Sequence, residues 1–245
     1  MGEINIRHIL FDLDGTLLPL DIDTFIPRYF EALAARFHQM VEPEQFINWL
    51  LEATEEMIRS NDEEQTNQEV FMEGFFQRIE QGPEEIMPIL EDFYQNKYPE
   101  LVRYLPGLGR GQEMVELALE EGFTVTIATN PLFPREAIIE RLRWGNLEGY
   151  PYQLITAYED MHFCKPNPRY YQEIMDRIGA RPEECLMVGN DTVEDMVAGK
   201  LGIKTFLLTD FIIEKENSYQ PDYRGDTDDF LQWLDEYGQR QEITG

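Results

Sequence analysis

Positive charge is scarce in this chain of 245 residues, and negative charge is abundant. There are 20 Lys and Arg against 48 Asp and Glu, which gives a formal net charge of −28 at pH 7. Nucleic acids and anionic membrane surfaces are bound through clusters of Lys and Arg, so this balance argues against both. We therefore expect neither as a partner, and nothing in the sequence implies a protein partner.

Cysteines and long apolar runs are scarce as well. The two cysteines, Cys164 and Cys185, form neither a CxxC pair nor a metal-ligand spacing, which favours a reducing compartment over a disulfide framework. No run approaches the ~18 apolar residues of a membrane span, and residues 1–10 lack the apolar stretch of a signal peptide. The expected location is the cytoplasm.

Four short polar motifs each follow an apolar run that is typical of a buried strand. In chain order they are Asp12-Leu13-Asp14-Gly15-Thr16, Thr129-Asn130, Lys165-Pro166, and Gly189-Asn190-Asp191 with Asp195 a helical turn later. In an open α/β sheet, ligands bind at the carboxyl ends of the strands. We therefore expect the four motifs to meet in one active site.

The order of strand and helix patterns predicts a parallel sheet. Strands are expected at 4–10, 123–128, 153–157, 185–188 and 204–208, and helices at 109–121, 134–143, 168–178 and 193–200. Such alternation favours an α/β fold with a Rossmann-like parallel sheet that helices cover on both faces. The tail from 221 to 245 carries the pattern of one further helix.

The region after the first motif has a different texture. It is acidic, rich in aromatic residues and poor in strand signals, and residues such as Phe25, Tyr29 and Phe37 recur at helical spacing. Four helices are expected there, with the aromatic residues as the core of a bundle. We therefore predict an α/β core formed by 1–18 and 104–245, and an inserted all-helical domain at 19–103.

The first motif carries two carboxylates at a strand end. Asp12 and Asp14 are two residues apart, so in extended chain both begin on one side, and Gly15 lets the chain turn sharply away. Paired carboxylates suit a nucleophile with an acid/base partner, or a site for a hard cation. An Asp-Gly turn that merely ends a strand is the structural alternative, but DxDGT after an apolar strand is rare by composition.

The sequence resembles the haloacid-dehalogenase superfamily of hydrolases. FDLDGTL at 11–17 matches its first motif, the other three motifs follow in the right order, and the resemblance covers about 4–20 and 100–210. It implies a Rossmann-like core in which the insertion is a helical cap. The implied activity is that of a Mg²⁺-dependent phosphatase, which hydrolyses a small phosphorylated metabolite through an aspartyl-phosphate intermediate.

The resemblance also implies roles for the motif residues. Asp12 would be the nucleophile, and the Asp14 side chain would be the general acid and base. Thr129, helped by Asn130, would bind the phosphoryl group. Lys165 would neutralise Asp12 and the phosphoryl group.

The metal site and one neighbouring position depart from the family pattern. Mg²⁺ would be held by Asp12, the main-chain oxygen of Asp14, and either Asp191 or Asn190, with Asp195 behind them. The family usually has Asp where this chain has Asn190, so Asp191 is favoured because it keeps the charge. Cys164 replaces a family Gly; no paired base is evident, and we expect it to pack rather than react.

Three other functions stay open at this stage. A phosphomutase would use every residue named so far. A halide-releasing enzyme would leave Asp14 and the metal motif without a role. A non-catalytic binding module would be indicated by loss of a chemical residue, and none of Asp12, Asp14, Thr129 or Lys165 is lost.

Overall fold

A parallel sheet forms the centre of the fold. The computed structural model describes residues 5–244, with side chains as far as residue 238. Within those residues the sheet has six strands in the order β3-β2-β1-β4-β5-β6, and every neighbouring pair is parallel. The strands are β1 (His8–Phe11), β2 (Thr124–Ile127), β3 (Leu154–Ile155), β4 (Cys185–Gly189), β5 (Lys204–Leu208) and β6 (Tyr223–Gly225). The predicted α/β fold is confirmed.

Helices connect the successive strands from β1 to β5, and one further helix follows β6. The α-helices are α1 (Ile22–Phe37), α2 (Pro43–Arg59), α3 (Asn67–Phe76), α4 (Pro83–Asn96), α5 (Gly111–Glu120), α6 (Arg135–Trp144), α7 (Pro168–Ile178) and α8 (Thr227–Thr244). Short 3-10 helices lie at Tyr98–Tyr104, Pro182–Glu184 and Met196–Leu201. None of the helices in the described part of the chain combines the length and hydropathy that a bilayer-spanning helix needs.

The central strand β1 explains the short apolar runs in the sequence. Ile9 and Phe11 pack into one hydrophobic cluster, whereas Leu10 packs into the cluster on the opposite face. A strand buried on both faces has no position for a polar side chain, so its sequence is continuously apolar. Because Phe11 pairs with Ile127 of β2 and Val188 of β4, the residues that follow these strands lie side by side.

The helical insertion predicted after the first strand is confirmed. Helices α1 to α4 lie between β1 and α5, and their aromatic side chains form the interior of the bundle. The rings of Phe37 and Phe46, for example, stack with centroids 4.3 Å apart. The domain boundaries at 18/19 and 103/104 stay a prediction.

One predicted helix was wrong. Residues 193–200 form a turn that leads into the 3-10 helix Met196–Leu201. The Asp195 carboxylate folds back to accept from the Asp191 N–H at 2.9 Å, and the Ala198 N–H bonds the Asp195 carbonyl three residues earlier. Such i→i+3 bonds tighten the chain into 3-10 geometry.

Two predicted strands differ clearly from the structure in extent, and one strand was not predicted. The strand expected at 4–10 begins outside the described residues at Ile4, and the structure has β1 at His8–Phe11. The strand expected at 153–157 is only Leu154–Ile155. Strand β6 was not predicted, because Tyr223–Gly225 lies at the sheet edge and carries no apolar run.

Candidate active site

The loop after β1 turns sharply at Gly15. This glycine has φ +78°, and a Cβ there would lie 2.3 Å from Asn190 Nδ2. Only glycine satisfies both the left-handed backbone and this close approach. The turn is closed by a hydrogen bond from the Gly15 N–H to the Leu18 carbonyl at 2.7 Å. It thereby brings Asp12 and Asp14 to the carboxyl edge of the sheet.

Lys165 joins two buried carboxylates. Its Nζ donates to Asp12 Oδ1 at 2.7 Å and to Asp195 Oδ1 at 2.6 Å. Burial raises the pKa of Asp12, against the opposing pull of Lys165, and burial raises the pKa of Asp195 to about 7. Burial alone would lower the pKa of Lys165, but the two carboxylates hold it well above its usual value. Three far-separated motifs therefore meet in one charged cluster.

Asp14 faces a different cation. Its carboxylate forms an ion pair with Arg141 on α6, and the Arg141 guanidinium lies 4.4 Å from the ring centroid of Phe133. Burial raises the pKa of Asp14, although Arg141 opposes the shift. Among the described residues, Asp14 Oδ1 and two guanidinium nitrogens of Arg141 have no hydrogen-bond partner. The two carboxylates of the first motif thus sit in separate electrostatic environments.

Thr129 and Asn130 follow β2 on the edge next to Asp12. The Thr129 carbonyl accepts from Thr156 Oγ1 at 2.7 Å and from the Tyr170 hydroxyl at 2.8 Å, which fixes the backbone. Asn130 accepts from the Lys165 N–H at 3.1 Å through its side-chain oxygen. It therefore ties the loop that carries Lys165 to the end of β2.

Asn190 and Asp191 follow β4 and differ in their contacts. Thr16 Oγ1 lies 3.3 Å from Asp12 Oδ2 and 3.2 Å from Asn190 Oδ1, so both oxygens approach one hydroxyl. Asp191 Oδ1 instead accepts from the N–H groups of Val193 and Glu194 at 2.8 and 2.9 Å. Asp191 thus caps the following turn.

All the predicted site residues border a single cleft. Its volume is about 440 Å³, and it is lined by Asp12, Asp14, Thr129, Asn130, Lys165, Asn190, Asp191 and Asp195, together with residues of α1 and of the loop after β5. Among the described residues that line it, seven are carboxylic acids and two are lysines, Lys165 and Lys215. The Asp12 and Asp14 carboxylates and the buried Lys165 therefore share one solvent-accessible space.

The sequence matches a known family over the region that builds this cleft. Residues 9–208 fit the sequence model of the haloacid dehalogenase-like hydrolases. The chain belongs to this family. The family membership inferred from the motif order is therefore confirmed, and the protein is a hydrolase of this type.

Individual relatives are distant. The hydrolase is 24% identical to the pyrophosphatase PpaX of Bacillus cereus over 223 residues, covering 90% of this chain and 92% of the relative. A phosphatase of the family from Thermococcus onnurineus has a TM-score of 0.58 at 19% identity, with 95% of this chain and 97% of that chain covered. L-2-haloacid dehalogenase from Xanthobacter autotrophicus has a TM-score of 0.58 at 12% identity, with 94% and 98% covered. These structural likenesses establish the shared fold.

Sequence reasoning missed two cations of the hydrolase site. Lys215 extends from the loop after β5 to Asp191 Oδ2 at 2.6 Å and to Glu194 Oε1 at 2.7 Å. In the sequence Lys215 lies between two glutamates, a pattern typical of a solvated loop, so nothing marked it as a site residue. Arg141 did leave a signal: it lies three residues after Ile138 and directly before Leu142, on the buried face of α6.

The donor atoms of the cleft suit a hard divalent cation. Among the described residues, no three side chains of His, Cys, Asp or Glu form a group that could hold a metal ion. A cation here would therefore need amide or main-chain oxygens, which Mg²⁺ accepts alongside one or two carboxylates. Asp12 Oδ2 and Asn190 Oδ1, both next to the Thr16 hydroxyl, are oxygens of this kind.

Cys164, next to the site lysine, is a packing residue. Its side chain is buried, and burial raises the pKa of its thiol, which keeps the thiolate form unpopulated. It packs in a small hydrophobic cluster with Met57 and Tyr158. The expectation that it packs rather than reacts agrees with this environment.

Proposed function

We propose that this hydrolase is a Mg²⁺-dependent phosphatase that releases phosphate from a small phosphorylated metabolite through an aspartyl-phosphate on Asp12. The observation that carries the proposal is the contact of Lys165 Nζ with Asp12 Oδ1 at 2.7 Å, in a cleft that also contains Asp14. The names of the PpaX relative and of the Thermococcus onnurineus phosphatase support the same reaction class. We also propose a cytoplasmic location, as expected from the cysteine usage and from the lack of a long apolar run in the sequence; the two cysteines are free in the structure.

In the first step an Asp12 carboxylate oxygen attacks phosphorus as the bond from phosphorus to the leaving oxygen breaks. Asp14 donates its proton to that oxygen, so the leaving group departs as a neutral alcohol. In the second step Asp14 takes a proton from water, and the water oxygen attacks phosphorus and releases inorganic phosphate and the Asp12 carboxylate. Burial, which raises the pKa of Asp14, suits it to hold the proton that the first step needs.

The remaining motif residues would bind the phosphoryl group. Lys165 forms an ion pair with Asp12, and from this position its ammonium group can neutralise both the nucleophile and the charge that develops on the phosphoryl oxygens. The Thr129 hydroxyl and the N–H groups at the end of β2 would hold the oxygens that do not react. Asn130 would keep Lys165 in place through its bond to the Lys165 backbone.

Mg²⁺ would be held by Asp12, by the main-chain oxygen of Asp14, and by Asn190 or Asp191. The hydrogen bonds of Asp191 to two N–H groups and to Lys215 favour Asn190 as the third ligand. A bound Mg²⁺ supplies Lewis-acid stabilisation of phosphoryl charge. Asp195 would not contact the cation; it would hold Lys165 in place as the second carboxylate that pairs with its Nζ.

The helical insertion would serve as a cap over this cleft. Ile22, Asp23 and Ile26 of α1 line the cleft together with the residues at the strand ends, so the insertion contributes to its wall. A cap in this position would contact the leaving group and limit the access of water. We propose that residues 19–103 form this cap and that 1–18 with 104–245 form the core.

The test is release of inorganic phosphate from a panel of phosphorylated metabolites, with Mg²⁺ and with chelator. We expect release that chelator abolishes, and loss of release in Asp12→Asn at an unchanged circular dichroism spectrum. Asp176→Asn, an exposed residue on α7, is the matched control and should retain activity. Near-normal turnover by Asp12→Asn would refute the nucleophile. Interconversion of sugar-phosphate isomers without phosphate release would identify a mutase instead.

A further inference from the structure

A second cavity adjoins the catalytic cleft. It has a volume of about 190 Å³ and lies between helices α1 to α4 and the core loops that follow β2 and β3. Ile26, Leu132 and Phe133 line both this cavity and the cleft. We call it the apolar chamber. A substrate with its phosphoryl group at Asp12 therefore has a neighbouring space for its leaving group.

The walls of the apolar chamber carry no charged side chain among the described residues. Aromatic rings dominate the lining: Tyr29, Phe30, Phe71, Phe75, Tyr94, Phe133 and Tyr158. Most of its polar groups already have partners: the Tyr29 and Tyr94 hydroxyls bond each other at 2.9 Å, Thr54 donates to the Leu50 carbonyl at 2.8 Å, and the Tyr158 hydroxyl accepts from Gln68 Nε2 at 3.5 Å. The chamber thus offers mainly van der Waals contact and ring packing.

The size of the chamber fits one ring. An apolar cavity of about 150 Å³ in another protein binds benzene, and this one measures about 190 Å³. A phosphate or a carboxylate in the chamber would lose its hydration without gaining a partner, which is costly. An apolar ring gains free energy from the same transfer.

The charges of the cleft also favour an uncharged leaving group. Lys165 already pairs with Asp12 and Asp195, and Lys215 pairs with Asp191 and Glu194. No other cationic side chain lines the cleft in the described part of the chain. A leaving group with its own negative charge, such as the phosphate of pyrophosphate, would be repelled by the carboxylates of the cleft, because both lysines are already paired with carboxylates.

We infer that the substrate of this enzyme is a phosphate monoester whose leaving group is uncharged and carries one apolar ring, which binds in the apolar chamber. The inference rests on the proposed phosphatase activity and names the substrate class for it. It separates this enzyme from the pyrophosphatase that it resembles, because an inorganic leaving group would leave the chamber without a function.

The first test compares 2-phenylethyl phosphate with ethyl phosphate. Both are alkyl esters of similar chemical reactivity, so the ratio of their kcat/KM values reports the binding of the ring. We expect a ratio of at least about ten, because burial of a ring contributes that much. Pyrophosphate should be a poorer substrate than 2-phenylethyl phosphate.

Variants of the chamber wall then locate the ring. Leu51→Trp and Thr54→Phe enlarge two side chains of α2 that line the chamber. We expect each to lower the 2-phenylethyl to ethyl ratio several-fold. The matched control is Leu108→Trp, because Leu108 is also an exposed leucine but lies outside the chamber, and its ratio should equal that of the wild type.

The possible failures are distinguishable. Ethyl phosphate or pyrophosphate cleaved as well as 2-phenylethyl phosphate would overturn the inference and leave the phosphatase proposal standing. A ratio that neither α2 variant changes would show that the ring binds elsewhere and would also overturn it. No phosphate release from any of these compounds, with the protein folded and Mg²⁺ present, would count against the phosphatase proposal itself.

Discussion

Arg141, whose guanidinium lies over the ring of Phe133, forms an ion pair with Asp14; the Arg141 side chain is fully buried and that of Asp14 is mostly buried. Removal of one partner from a buried pair leaves the other charge uncompensated and costs roughly 3–5 kcal/mol. We therefore expect Arg141→Met to lower the free energy of unfolding by about 3 kcal/mol, measured by urea denaturation at pH 7.

The same helix supplies a control for this experiment. Arg143 pairs with Glu140 and Glu148 at the surface, with half of its side chain exposed. Exposed pairs contribute at most about 1 kcal/mol, so Arg143→Met should have a much smaller effect. The double variant with Asp14→Asn should recover part of the loss caused by Arg141→Met. Equal destabilisation by the two arginine variants would contradict a special role for the Arg141 pair.

The third metal ligand can be tested through charge. If Asn190 holds the cation, Asn190→Asp adds a carboxylate next to Asp12 and should lower the Mg²⁺ concentration for half-maximal activity by roughly tenfold, because ligand charge tunes the affinity of such sites. Asp191→Asn keeps the side-chain oxygen that caps the turn after β4 and should shift this concentration less. A large rise in Asp191→Asn with no fall in Asn190→Asp would make Asp191 the ligand, as the sequence alone favours.

Asp195 should make stability depend on pH. Burial raises its pKa from 3.8 to about 7 in the folded protein. The folded state therefore retains a proton that the unfolded chain has lost, and this stabilisation is complete below the pKa of the unfolded chain and disappears as the pH rises through about 7.

Denaturation with chelator present, at several values between about pH 5 and pH 8, measures this linkage. The free energy of unfolding of the wild type should fall with rising pH relative to that of Asp195→Asn, which has no titrating group at this position. Parallel pH profiles for the two proteins would mean that Asp195 does not titrate in this range.

The overall charge should affect substrate capture. At −28, the protein repels an anionic phosphate ester at long range, whereas Lys165 attracts it only at short range. Screening extends over about 10 Å at 0.1 M salt, so moderate NaCl should suppress the repulsion and raise kcat/KM. Stopped assays at low substrate concentration would measure this. A purely inhibitory effect of salt on kcat/KM would contradict the expectation.

The parts of the fold that could be predicted from the sequence are those that local patterns determine. The apolar run at Ile9 and the helix expected at 168–178 follow from burial and from the fixed φ of Pro168 in the first turn, and the structure agrees with them. The segment after Asp191 was mispredicted because a tertiary arrangement, the Asp195 carboxylate folded onto the Asp191 N–H, overrides the helical pattern there.

In the site, too, the residues marked by local sequence patterns could be predicted, and those brought in by tertiary structure could not. Asp12, Thr129 and Asn190 were found because they closely follow apolar runs, whereas Lys165 was assigned from the order of the family motifs, and the structure brings them to one cleft. Lys215 could not be found, since only the return of the chain after β5 brings it to Asp191. The apolar chamber could not be foreseen either, because its walls come from four helices and two loops that no local pattern relates.

The position of β1 in the sheet has a consequence for biosynthesis. Of the six described strands it is made first, yet its partners are Thr124–Ile127 and Cys185–Gly189, which are made much later. Pairing over such sequence separations is slow, and unpaired apolar strands associate with other chains. The apolar segment that leads to the proposed nucleophile is therefore exposed while most of the protein is still being translated, and we expect high expression levels to cause aggregation of nascent chains before Lys165 has been added.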